Sequence, residues 1–161
     1  EQMIRRFVKD SSFDQLICVA IAKHSDFKLE GIEDKRTLLH ARLIRDADKL
    51  DNCRVKLEES METLLDMDEK TVGASPISPK VWESCKAEES VLSADRKTGM
   101  DYWMSYLALY FDINFLETYQ IIKEQDYIRR IAERVPYSRE DTKEKVAYTV
   151  KKLEEKMNIQ P

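Results

Sequence analysis

A helical repeat of apolar residues interrupted by three carboxylates runs from Leu39 to Asn52, LHARLIRDADKLDN. With successive side chains set 100° apart, Leu39, Leu43, Ala47, Leu50 and Leu57 share one arc, and Asp46 lies inside it. That arc predicts a core-facing surface with a carboxylate aimed into it. On a second arc Ala41, Ile44 and Val55 surround Asp48, with Asp51 and Asn52 three and four positions further on. Arg42, Arg45, Lys49 and Lys56 take the remaining face, which predicts a solvated basic side. The stretch reads as a helix held between partners, starting near Asp34 and ending after Val55.

A carboxylate among apolar groups is costly unless it is hydrogen-bonded, paired with a cation or bound to a metal. Asp46 and Asp48 therefore each need a compensating interaction. Two readings stay open: they cap neighbouring helix N-termini or pair with arginines, or they form part of a ligand site.

A chain of 161 residues fits one domain with a sizeable core. Only 3 Gly and 4 Pro, with 36% of residues charged, favour helices over turn-rich sheets, so the expected class is all-α. A net charge of −4 supplies no basic field for a nucleic-acid polymer. Cys18, Cys53 and Cys85 are odd in number and widely spaced, and they read as reduced core or boundary thiols. The apolar runs are too short to span a bilayer and no signal peptide is recognisable, which predicts a cytoplasmic location and no membrane partner. The chain opens on Glu1 and runs into an amphipathic MIRRFV, which suggests a beginning in mid-protein.

Further helices follow from their end signals. Ser11 or Ser12 caps a helix carrying Phe13, Leu16, Ile17, Ala20 and Ile21, ending near Lys23 and His24. A short helix is expected at METLL, Met61–Leu65, then a loop around TVGASPIS. Ser78 with Pro79 at the first helical position opens PKVWESCKAEE, burying Val81, Trp82 and Cys85. Thr98 and Asp101 have capping-box spacing ahead of the aromatic MDYWMSYLALYFDI, a core helix by its composition. Asn114 and Glu117 launch one helix to about Val135, stopped by Pro136, and a two-faced surface helix starts at Ser138. No Gly-rich phosphate loop or nucleophile elbow is present.

IRDADKLDN (Ile44 to Asn52), preceded by a helix ending AIAKHSD (Ala20 to Asp26), resembles the HD superfamily of metal-dependent phosphohydrolases. Asp48, in Ala47-Asp48-Lys49-Leu50, fits the family's last motif aspartate, and SADRKTGMDYWMSYLALYFDINF resembles the C-terminal helical extension of a bacterial subgroup. The resemblance implies an HD-type helical bundle, incomplete at its N-terminus, with residues 1–72 as the C-terminal part of the HD domain and 73–161 packed on it as one globular unit. It implies a hydrolase of a small phosphorylated, nucleotide-like substrate and a divalent metal ion (Fe, Mn, Ni, Zn or Mg). Asp48 and His24 are the implied ligands, Asp48 and Lys49 the implied catalytic residues, and Asp46, Asp51 and Asn52 the groups that orient the ligands. Arg45 and Lys49 are weaker candidates for substrate phosphate.

The family's upstream histidine and His-Asp doublet are missing, and the two histidines present, His24 and His40, are not followed by Asp. This chain is therefore expected to carry a partial site, to hold no metal tightly and to be inactive alone. Uncovered apolar flanks predict a homodimer. The alternative expectation is a non-catalytic helical binding or regulatory module in which the carboxylates bracket helix ends and the aromatic helix Tyr102 to Phe111 serves core or oligomer contacts; for His24 itself the alternative to a ligand is a helix C-terminal cation.

Overall fold

The computed structural model describes residues 3–159, and among them it contains helices and no strand. By packing, the chain divides into two compact units, Glu1–Asp48 and Lys49–Pro161, with the division inside one continuous helix.

In the first unit, a 3₁₀ turn at Ser11–Phe13 leads into α1, Asp14–Lys23. The cap here is Asp10, whose carboxylate accepts from the Ser12 N–H and hydroxyl, so Ser12, one of the two expected caps, is itself the capped residue. Arg5 forms an ion pair with Asp14. After a connector in which Gly31 adopts φ +75°, α2 runs over Lys35–Glu58. Asp34 starts it, accepting from both the Thr37 N–H and the Thr37 hydroxyl at 2.7 Å. The Arg36 guanidinium sits 4.9 Å over the Phe13 ring, and Arg45 reaches the far end of α1. The two helices therefore run in the same direction.

The second unit is organised on α6, Gly99–Ala108, which packs against α4 (Glu69–Ala74), α5 (Pro79–Lys86), α8 (Tyr127–Glu133) and α9 (Glu140–Ile159). Trp103, Met100, Met104 and Leu107 on α6 are fully buried and share one core with Val72, Val81, Cys85, Ile122, Ile131 and Leu153. The aromatic segment is core, as its composition predicts. Thr98 and Asp101 close the capping box, and Asp101, itself fully buried, also accepts from the Ser78 N–H (2.7 Å) and hydroxyl (2.6 Å) and the Lys97 N–H (2.9 Å). One carboxylate thus holds the starts of α5 and α6 together. Ser78 occupies the expected N-cap of α5, but its hydroxyl is spent on Asp101 rather than on the helix.

Three sequence readings are corrected. The TVGASPIS loop contains the end of α4, a helix that Asp68 nucleates by accepting from the Thr71 N–H and hydroxyl. Gly73 is needed there because a Cβ would stand 2.3 Å from the Pro136 carbonyl oxygen. The single helix expected up to Val135 is two, α7 (Leu116–Glu124) and α8, because Asp126 takes a left-handed conformation at φ +50° between them. Finally, α3 (Met61–Leu65) matches its expected span, whereas α2 runs one turn beyond Val55. Among the described residues, no helix is long and apolar enough to cross a membrane.

Candidate functional site

The largest departure from expectation is the orientation of α2. Leu39 and Leu43, placed on the core arc, are 52% and 54% exposed, and Ala47 is exposed with them. Arg45, Lys49 and Lys56, assigned to a solvated face, are buried, as is Ala41. The expectation of a solvated basic side is therefore wrong for these three cations, and correct only for Arg42.

Burying a cation requires acceptors, and helix C-termini supply them: their last carbonyls have no partner within the helix and carry the negative end of its dipole. Arg45 Nη1 donates to the carbonyls of Lys23 (3.4 Å), His24 (3.1 Å) and Asp26 (2.6 Å), closing the end of α1. In the second unit, Lys49 donates to the Asp112 carbonyl and, at 2.8 Å, to its carboxylate, at the end of the 3₁₀ turn Leu109–Asp112. Lys156 joins it from α9, donating to the Phe111 carbonyl at 2.8 Å. Arg134 does the same for the C-terminus of α2 through the carbonyls of Lys56 and Glu59. The ammonium of Lys56 lies 4.0 Å over the Tyr106 ring. Burial pushes the Tyr106 hydroxyl above its ordinary pKa, although Arg96 opposes the shift.

Asp46 is 1% exposed even though Leu39, Leu43 and Ala47, the arc on which it was expected to face the core, are exposed. Asp48 is exposed, and Asn52 is half-buried. Asp51 pairs with Arg54 at 3.1 Å, in a surface chain that continues from Arg54 to Glu58 at 2.6 Å. Half-buried His24 stands just past the end of α1 with Nδ1 2.7 Å from the Ile21 carbonyl oxygen. With the proton on Nδ1, that bond leaves the Nε2 lone pair available, the tautomer of a metal-binding histidine held by a backbone carbonyl.

Arg45 connects these groups. Its bond to the His24 carbonyl holds the end of α1 against α2, and Asp48 follows Arg45 on α2 by three positions, about 60° round the helix and about 4.5 Å along it. Arg45 is buried and Asp48 exposed. Imidazole and carboxylate suit a divalent cation chemically. Two donors do not make a closed site, and among the described residues no group of three or more His, Cys, Asp and Glu side chains is placed to hold a metal ion.

The thiols offer no nucleophile at this point. Cys53 and Cys85 are buried in the second unit, where desolvation pushes them up to about 11 and about 12, and Cys18 is exposed. The buried Asp101 cluster and the cation-closed helix ends were not anticipated from sequence. Capping-box spacing signalled the local half of Asp101's role, but nothing in the sequence marks Ser78 as its partner. The chain matches no family model, no curated protein and no solved structure.

Proposed function

We infer that the chain carries part of an HD-type metal-dependent phosphohydrolase site, with His24 and Asp48 as two of its ligands and a phosphate ester as substrate. What supports this reading is that Arg45, three positions before Asp48 on α2, bonds the carbonyl of His24, whose Nδ1 lies against the Ile21 carbonyl. A divalent cation completed by further ligands would polarise a phosphate and lower the pKa of a bound water. The chain's own residues contribute ligand placement: Arg45 holds the turn, and the Ile21 carbonyl orients the ring. Lys49 and Arg45 act in this reading as helix-end cations rather than as phosphate contacts, because their head groups are spent on carbonyls.

Titration with Mn²⁺ followed by the ion's paramagnetic resonance tests the pair. One weak site is expected, lost in both His24→Ala and Asp48→Ala. Binding unchanged in either variant removes that residue, and robust metal-dependent phosphoester hydrolysis by this chain alone contradicts a partial site.

The second reading, a non-catalytic helical module, is favoured by a different observation. The cations of α2 and its partners are committed to closing helix ends, which is a packing role. Absence of any site-specific Mn²⁺ binding would select it.

A further inference from the structure

We propose that a cleft between α7, α8 and the last turns of α9 binds a free apolar α-amino acid. The cleft lies wholly within the second unit and has a volume of about 240 Å³. Drug-sized ligands occupy roughly 300–1,000 Å³, so this cleft suits a single molecule of amino-acid size. Its inner wall is apolar: Ile122 and Ile128 are buried and Met157 is half-buried. An aliphatic side chain covers that wall without stranding a polar atom.

The rim carries both signs of charge in equal number. Lys123 and Arg129 line it together with Asp126 and Glu154, two cations against two carboxylates. Arg129 Nε donates to Glu154 Oε1 at 2.7 Å and Lys123 Nζ to Asn158 Oδ1 at 2.8 Å, bonds that tie α8 and α7 to α9. Each cation spends one donor in this way, of five on a guanidinium and three on an ammonium, so both keep donors for a carboxylate. Asp126 stands in the left-handed conformation between α7 and α8, and its carboxylate does not cap α8. Its oxygens are open to an ammonium. A plain carboxylate would also meet Asp126 and Glu154, and a plain amine would also meet Lys123 and Arg129; a zwitterion satisfies both pairs. An apolar α-amino acid joins those two charges to the side chain that the inner wall accepts.

The rim charges are exposed and screened, so binding is weak, with a dissociation constant of about 0.1–1 mM. Titrating the isotope-labelled whole chain with L-leucine to about 20 mM reads it in amide chemical shifts. Saturable shifts are expected at the turn between α7 and α8 and at the end of α9. Isocaproate, which lacks the ammonium, and isoamylamine, which lacks the carboxylate, are expected to bind about fivefold more weakly or worse. Asp126→Asn removes the charge and keeps a residue that tolerates the left-handed conformation. It is expected to weaken leucine about threefold or more while isocaproate binds no more weakly than before. Lys123→Gln is expected to weaken both ligands. Both positions are exposed, so the dispersion of the amide spectrum should stay that of the wild type.

Shifts that stay linear to the highest leucine concentration overturn the proposal, and so do shifts confined to other parts of the chain. Leucine held no more tightly than isocaproate and isoamylamine, or indifferent to Asp126→Asn, overturns the assignment of a zwitterion. None of these outcomes depends on metal binding.

Discussion

The two units of this chain are stabilised by different physics. Among the described residues of Glu1–Asp48, those buried are Ala20, Thr37, Ala41, Arg45 and Asp46, two alanines and three polar groups. Lys49–Pro161 withdraws Trp103, Tyr110, Phe111, Met61, Met100, Met104, Leu107 and Leu153, and a further set of valines and isoleucines. Both units close helix ends with cations, but only the second adds a large buried apolar area. Dispersion and solvent release scale with area, whereas a few charge-assisted hydrogen bonds do not. The first unit is therefore the one that opens more easily.

Three perturbations separate these regimes. Trp103→Ala removes the largest fully buried side chain and is expected to cost the second unit about 3–5 kcal/mol in denaturant unfolding. A loss below about 1 kcal/mol would show that this core is not tightly packed. Arg45→Met keeps the aliphatic bulk while removing the bonds to three carbonyls, and is expected to cost about 1.5–3 kcal/mol. That loss should be read as faster amide exchange in α1 with the α6 amides unchanged. Equal acceleration in both units would erase the contrast.

Acid produces the smallest effect and touches both units. Thr37's hydroxyl and N–H hold Asp34 below its ordinary value of 3.8, and Thr71 does the same for Asp68. Groups depressed in the folded state stabilise it above their unfolded pKa, and the gain disappears as pH falls through the folded value. Amide exchange at the first turns of α2 and α4 is therefore expected to accelerate together below about pH 3.8, without a change near neutrality. An onset in only one of the two helices would show that the two caps are not equivalent.

What was legible in the sequence follows the same division. Thr98 with Asp101 and Pro79 at the start of α5 are local signals, decided within a few positions of the chain, and the structure uses both. Asp46 is buried as expected, but the arc that was to carry it inward, Leu39, Leu43 and Ala47, is exposed. The direction α2 faces was not readable, because its leucines and its cations both argue for burying the leucine side, and acceptors elsewhere decided otherwise. Arg45 is buried because the end of α1 presents three carbonyls, and Lys49 because Asp112 presents two oxygens. Those acceptors lie 19 to 63 positions away in the chain, beyond the reach of any periodicity. The break at Asp126 was missed for a related reason, since a left-handed aspartate leaves no pattern in hydrophobic spacing.

Lysines held in this way also act as clocks. Lys49 and Lys56 are 5% and 7% exposed, whereas the Lys80 side chain is 77% exposed. An acylating reagent meets Lys80 directly but reaches the other two only when their carbonyl or ring partners let go. The rate at which they are modified would then report how often those helix ends open, and a cell's own lysine-acylating chemistry would be confined to the surface while they stay shut.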